Sequence, residues 1–170
     1  EGAFASVEYI MRDVEDGWML RYMHSTGASA FFLVVYLHMF RGLAYGSYQK
    51  PRELIWILGM LIYIALMAEG FFGYLLPWGN MSFWAGQVIV SLAGAIPFVG
   101  EALATWVRGD FNISGITLNR FFALHVVLIP LVLIVLVFLH ILALHEVGSN
   151  NPDGVDIKKN LDEDGKPLDS

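Results

Sequence analysis

The chain has no cysteine. That excludes disulfides, thiolate ligation of a haem, cysteine-held iron–sulfur clusters and covalent haem attachment through a C-x-x-C-H motif. Any metal chemistry must rest on histidine, carboxylate or methionine. Charge is scarce too. Only 15% of the 170 residues are Asp, Glu, Lys or Arg, against about 25% in a soluble domain, and most of these sit at the two ends and in short connections. The net charge of −6 comes largely from the ends. There is no basic stripe with interleaved aromatics, so no nucleic-acid partner is expected. No signal-peptide pattern is visible, the first residue is Glu1 rather than Met, and the end is polar. An internal piece of a longer protein is the expectation.

What is abundant is apolar: 56% of residues are hydrophobic. Three long apolar runs, about Tyr22–Tyr45, Leu54–Leu76 and Phe121–Leu144, each exceed the roughly 20 residues a helix needs to cross a bilayer. Ahead of them, Glu1–Arg21 carries charges at Glu8, Arg12, Asp13, Glu15 and Asp16 and reads as a surface helix leading into the membrane. Between the second and third runs, Pro77–Asn119 is semi-polar. Its two apolar stretches, about Phe83–Ile96 and Phe98–Val107, are too short to span and suit helices lying at the interface. From Glu146 onward the chain is Asn, Asp, Gly and Lys, a polar loop. The short connection between the first two spans holds Arg41, Lys50 and Arg52 against Glu53, and the tail holds Lys158 and Lys159. By the positive-inside rule both face the cytoplasmic or matrix side, and the long connection faces out.

Four histidines lie in the first and third spans: His24 and His38, His125 and His140. Ionisable groups in a membrane are costly and by default mark function. Fourteen helical steps return to within about 40° of the starting face, whereas fifteen overshoot by about 60°. Pro130, between the second pair, is the place where a bend or a loosened turn can absorb the difference. Spans alternate direction, so the first and third run the same way. His24 is then level with His125, and His38 with His140, at two depths roughly 20 Å apart by helix rise. Two facing imidazoles suit the two axial positions of a haem iron. Structural zinc fits badly, because each level lacks two further ligands. Gly27 lies one turn after His24, and Gly59 and Gly73 are 14 apart; they would give a flat macrocycle close backbone approach, or simply pack helices closely. Arg21 and Arg41, one turn outward of His24 and His38, would meet propionates bidentately or else snorkel to the interface.

The run Arg21-Tyr-Met-His24-Ser-Thr-Gly27, continuing to Tyr36-Leu-His38-Met-Phe-Arg41, resembles the second transmembrane helix of cytochrome b of the ubiquinol–cytochrome c oxidoreductase complex. Gly73-Tyr-Leu-Leu-Pro77-Trp-Gly resembles that family's third helix and outer loop. Leu118-Asn-Arg-Phe-Phe-Ala-Leu-His125 and His145-Glu-Val-Gly-Ser-Asn-Asn-Pro152 resemble its fourth helix and exit. The family's first helix and C-terminal half, with its Pro-Glu-Trp-Tyr motif, are not in the chain.

The resemblance implies an all-α transmembrane haem-binding bundle, with three of the four helices of the di-haem domain over residues 1–145 and a polar inner loop over 146–170. Two non-covalent b haems are implied: His24 and His125 would hold the low-potential one near the outer face, His38 and His140 the high-potential one near the inner face. Phe71, Tyr74, Trp84, Ala85 and Gly86 would line an outer quinol-oxidising site. His145, Ser149 and Asn150 would border the inner quinone-reducing site or the inner propionates; a solvated histidine at a helix C-terminus is the other reading of His145. The implied partners are ubiquinol and ubiquinone, a Rieske iron–sulfur protein, a membrane-anchored c-type cytochrome and a second copy of the complex. The long acidic tail favours a bacterial inner membrane over a mitochondrial one.

Where this chain departs from the family pattern it makes its own predictions. Ala85 stands where many members have glycine. Its methyl should crowd methoxyacrylate inhibitors, so weak inhibition is expected, and tight inhibition of the intact complex would contradict it. Glu69, an acid inside the second span, is expected to be buried, uncharged and hydrogen-bonded, with a proton-pathway role as the alternative. Three other functions are open at this level. The 15-residue histidine spacing suits the photosynthetic plastoquinol form of the complex. A di-haem anchor for a dehydrogenase or hydrogenase would show the same spectrum but need no Rieske partner. A haem-free bundle would show no reduced b-type band.

Overall fold

The computed structural model describes residues 2–155, 157–159 and 161–166. It is all-helical in architecture, and three helices are long and apolar enough to cross a membrane. Helix α1 covers Gly2–Arg12 and α2 Gly17–Ala44. Helix α3 covers Glu53–Leu75, α4 Asn80–Ala93 and α5 Gly100–Arg108. Helix α6, Gly115–Ala123, runs through a π-helical turn at Leu124–Leu128 into α7, Ile129–Val147, a single span of 33 residues. The 28 residues of α2 and 23 of α3 rise about 42 and 35 Å, enough for a hydrocarbon core of about 30 Å. Large apolar side chains such as Leu33, Phe40, Ile134 and Phe138 are exposed on these helices. A helix that is apolar all round has lipid or protein as its solvent, not water.

Several boundaries differ from the sequence expectation. The surface helix and the first span are separate elements. The chain turns at Asp13–Asp16, where Asp16 sits at φ 56, a left-handed conformation that Asp tolerates. The third span starts at Gly115 rather than near Phe121, because Ser114 and Thr117 form a capping box that satisfies the first free amides. Thr117 is fully buried, and its hydroxyl donates to the Arg108 carbonyl at 2.7 Å while accepting from the Ser114 amide. Helix α5 stops where Gly109 adopts φ 76 and its N–H caps the Thr105 carbonyl. The two short helices α4 and α5 are each shifted by one to three residues from the apolar stretches. Helix α7 continues to Val147 before the polar tail. That tail contains one short 3-10 turn, Ile157–Lys159; Asp156, Asn160 and residues 167–170 lie outside the described residues.

Two compact units divide the chain: residues 1–28 with 66–130, and 29–65 with 131–170. The first holds a core of Leu75, Val90, Ala104 and Phe121, closed by Phe71, Phe72 and Trp78. Short helices α4 and α5 pack on each other there, and α5 on α6, so the long connection is a folded layer and not a loose loop. The second unit is held by close helix contacts and polar ties. A side chain at Gly42 would meet the Trp56 ring at 3.2 Å, Trp56 stacks edge-on with Tyr48, and Tyr36 meets Tyr63 edge-on at 6.0 Å.

Candidate functional site

In the first unit, the rings of His24 and His125 face each other with centres 6.1 Å apart and planes at 85°. In the second, the rings of His38 and His140 are 6.2 Å apart at 75°. These are the pairs that alternating topology puts level. An imidazole–metal bond is about 2 Å and the ring centre lies about 1 Å behind the donor nitrogen, so two imidazoles on opposite sides of one metal have centres about 6 Å apart. Both pairs have that spacing. Among the described residues no group of three or more His, Asp or Glu side chains is arranged to hold a metal ion, which leaves the zinc reading without support.

The 15-residue spacing is resolved by the π-helical turn. The Ile129 amide bonds back five residues to the Leu124 carbonyl. Pro130 lacks the N–H that would bond the Val126 carbonyl, and its ring crowds that carbonyl, so the preceding turn widens. Such a turn holds one extra residue without advancing the α-helical count, which takes about 100° from the 60° overshoot and leaves about −40°, the offset of the 14-residue pair.

Two glycines of α3 make room for the rings. A Cβ at Gly73 would collide with the His125 imidazole, within 2.8 Å of Nδ1, and one at Gly59 would press on His140 Cε1 at 3.2 Å. One turn before Gly73, the Glu69 carbonyl oxygen is 3.0 Å from His125 Nδ1. A carbonyl only accepts, so Nδ1 carries the proton and Nε2 is the nitrogen left for a ligand. His140 Nδ1 is buried and makes no hydrogen bond of good geometry among the described residues. A Cβ at Gly27 would meet nothing within 4 Å, so no protein atom requires that glycine.

Each pair borders a cavity. The first, of 520 Å³, is lined by His24, His125, Arg21, Gly73 and Asn119. The second, of 230 Å³, is lined by His38, His140, Arg41, Gly59, Trp56 and Ser47. Both arginines therefore stand at the rim of their histidine cavity. Sequence reasoning gave α1 no part in the site, yet Ala3, Ser6, Val7 and Ile10 wall the first cavity. Their spacing is one helical face, a signal that was present in the sequence.

The expected quinone-site residues are distributed differently. Phe71 stacks on Phe121 at 5.5 Å and on Phe72. Tyr74 and Trp84 are exposed. Gly86 is buried beneath Leu75 and Ile113, where a Cβ would lie 2.5 Å from Leu75 Cδ1, so it serves core packing. Ala85 is half-buried beside it. None of these five lines either histidine cavity.

In the second unit, His145 is exposed on the last turn of α7 and lies outside that unit's cavity lining. Asn150 donates to the Tyr45 carbonyl at 2.8 Å and to the Ser47 hydroxyl at 3.3 Å. Arg52 donates to the carbonyls of Gly148 at 3.0 Å and Ser149 at 3.3 Å. This clasp, which sequence reasoning missed, satisfies the free carbonyls beyond α7, where Gly148 turns the chain at φ 77. Replacing Arg52 by alanine is expected to cost about 1.5–3 kcal/mol, the range for hydrogen bonds that involve a charged group. A lower melting temperature of the purified protein checks this, and an unchanged one means the clasp has no net energy.

Comparison with known proteins agrees with this geometry. The family model described as cytochrome b/b6/petB matches residues 1–148. Cytochrome b of Allochromatium vinosum is 69% identical over 157 residues, 92% of this chain and 38% of the relative. Cytochrome b of Solanum tuberosum is 59% identical over 90% of this chain and 39% of its own length, and that of Cereibacter sphaeroides 58% over 92% and 35%. The chain thus spans well under half of the curated relatives it matches. A solved structure titled hyperthermophilic respiratory Complex III superposes with a TM-score of 0.86 at 38% identity, covering 96% of this chain and 44% of that one. Three membrane-length helices, two facing histidine pairs and these likenesses together make this chain a member of the cytochrome b/b6 family.

Proposed function

We propose that this chain is the haem-binding region, over residues 1–145, of the cytochrome b subunit of a proton-translocating quinol–cytochrome c oxidoreductase in a bacterial inner membrane. The observation that carries the reading is the pair of facing imidazole pairs, at 6.1 and 6.2 Å. The residues present fit two b haems. The spacing suits axial ligation, Gly59 and Gly73 leave the rings their room, and an arginine stands at each cavity rim. Bound there, such a group would supply one-electron transfer, held by His24 and His125 in one cavity and His38 and His140 in the other.

The chain's own residues do the rest. His24 and His125 hold the outer site, His38 and His140 the inner one. Arg21 and Arg41 offer bidentate donors to propionate carboxylates. The apolar spans exclude water and keep the site dielectric low, which is one of the levers on potential. Phe71, Tyr74, Trp84 and Ala85 contribute one side of an outer quinol-oxidising site, with Gly86 supplying backbone and packing. His145, Ser149 and Asn150 border the inner quinone site. A Rieske iron–sulfur protein, a c-type cytochrome and a second copy of the complex are the partners; the proteobacterial relatives and the Complex III likeness support this.

A redox titration of the visible spectrum of the protein, isolated from its membrane, tests the proposal. Two b-type transitions at separate potentials are expected, and the absence of any reduced b-type band would end it.

A further inference from the structure

The two histidine pairs are not chemically alike. In addition to its bond with the Glu69 carbonyl, His125 Nδ1 lies 2.9 Å from the Glu69 carboxyl oxygen Oε1. Both side chains are largely buried, at 17% and 16% exposure. The other carboxyl oxygen, Oε2, is buried and has no hydrogen-bond partner among the described residues, so no competing contact draws the carboxyl away from His125. Among the described residues His140 is paired with no carboxylate, and its Nδ1 makes no hydrogen bond of good geometry. The placement follows from the helix: Glu69 is one turn before Gly73, and the absent side chain at Gly73 lets the ring come close enough to reach the Glu69 backbone carbonyl and one carboxyl oxygen.

We infer that Glu69 is a positioning residue for His125. Its carboxyl oxygen shares the single Nδ1–H with the Glu69 backbone carbonyl, tightens the hold on the ring plane and makes the imidazole a stronger electron donor through Nε2. Acceptors behind a ligating imidazole fix its tautomer and orientation and raise its basicity. A stronger donor stabilises the oxidised metal more than the reduced one, so this contact lowers the potential of the centre that His125 holds. The inner pair, with no such carboxyl paired to a ring among the described residues, is left at higher potential. The inference rests on His125 being an iron ligand, as proposed above, and concerns what Glu69 does to that ligand.

The test uses the protein isolated from its membrane, in Glu69→Leu and Glu69→Gln forms, with redox titration of each b-type transition. Outer-shell partners of a metal-bound histidine are typically worth ten-fold or more. Glu69→Leu should therefore change the oxidised-to-reduced stability ratio about ten-fold, moving the outer transition up by about 59 mV and leaving the inner one in place. Glu69→Gln keeps an oxygen at the same reach and should return the transition to near its native position.

The low-spin ferric EPR signal reads the angle between axial ring planes. It should change in the Leu form and revert in the Gln form, a readout that simple loss of packing would not produce. The inference is overturned if the Leu form leaves the outer potential unmoved, if it only lowers haem content without shifting what remains, or if the Gln form shifts as far as the Leu form. Failure of the underlying reading would look different, because the unmutated protein would then lack two b-type transitions.

Discussion

Replacing His38 by leucine is expected to remove one of two b-type transitions, the inner one, and to leave the other at its native potential. Leucine has no lone pair to offer, and His140, 6.2 Å across the cavity between ring centres, is left as the single imidazole at that level. The fold should tolerate the change. His38 lies in a helix whose neighbours are apolar, and leucine is favoured over an ionisable group in a membrane. The His24–His125 pair belongs to the other compact unit, so its transition is the internal control. A spectrum that keeps both transitions would show that the ligand assignment is wrong.

Gly73→Ala should be nearly as severe at the outer site, and much more severe than Gly59→Ala at the inner one. The added methyl at Gly73 overlaps the His125 ring, with Nδ1 at 2.8 Å and Nε2 at 3.0 Å. The ring cannot simply swing aside, because Nδ1 is held by the Glu69 carbonyl. Overpacking of this kind costs about 1–3 kcal/mol, and here it falls on the position of the His125 ring. Loss of the outer transition with the inner one intact is the expected result in a redox titration. At Gly59 the nearest ring atom is 3.2 Å away and the next 3.7 Å, so a small ring displacement suffices and both transitions should persist. Gly27→Ala is the informative contrast. No protein atom lies within 4 Å of the added methyl, so any disturbance it causes reports the bound group and not the protein's own packing. Equal effects at Gly59 and Gly73 would contradict the geometric ranking.

Much of this architecture is legible before any coordinates. The three spans follow from hydropathy and the 30 Å thickness of a bilayer. Which histidines share a level follows from the alternation of spans together with a rise of 1.5 Å per residue. The ends of elements were less legible, since hydropathy reports the solvent around a residue and not the local hydrogen bond that stops a helix. Ser114 and Thr117 move the start of the third span several residues upstream, and the Asp13–Asp16 turn separates α1 from α2. Gly86 illustrates a different limit: the close packing of Leu75 and Ile113 against it is not visible in the motif that contains it.

By itself the sequence determined the class of the molecule: apolar spans without cysteine, four intramembrane histidines in two matched levels, and a glycine 14 residues from another on the helix between them. These are periodic properties, and periodicity survives without coordinates. Only the tertiary structure decided that the extra residue between His125 and His140 is absorbed in a π-helical turn before Pro130, that α1 walls the first cavity, that Arg52 clasps the exit of α7, and that a carboxyl stands behind the His125 ring. The first is a local choice of backbone hydrogen bond that hydropathy does not report; the others depend on groups distant in sequence meeting at the ångström scale, where a count of residues along a helix carries no information about which atom faces which.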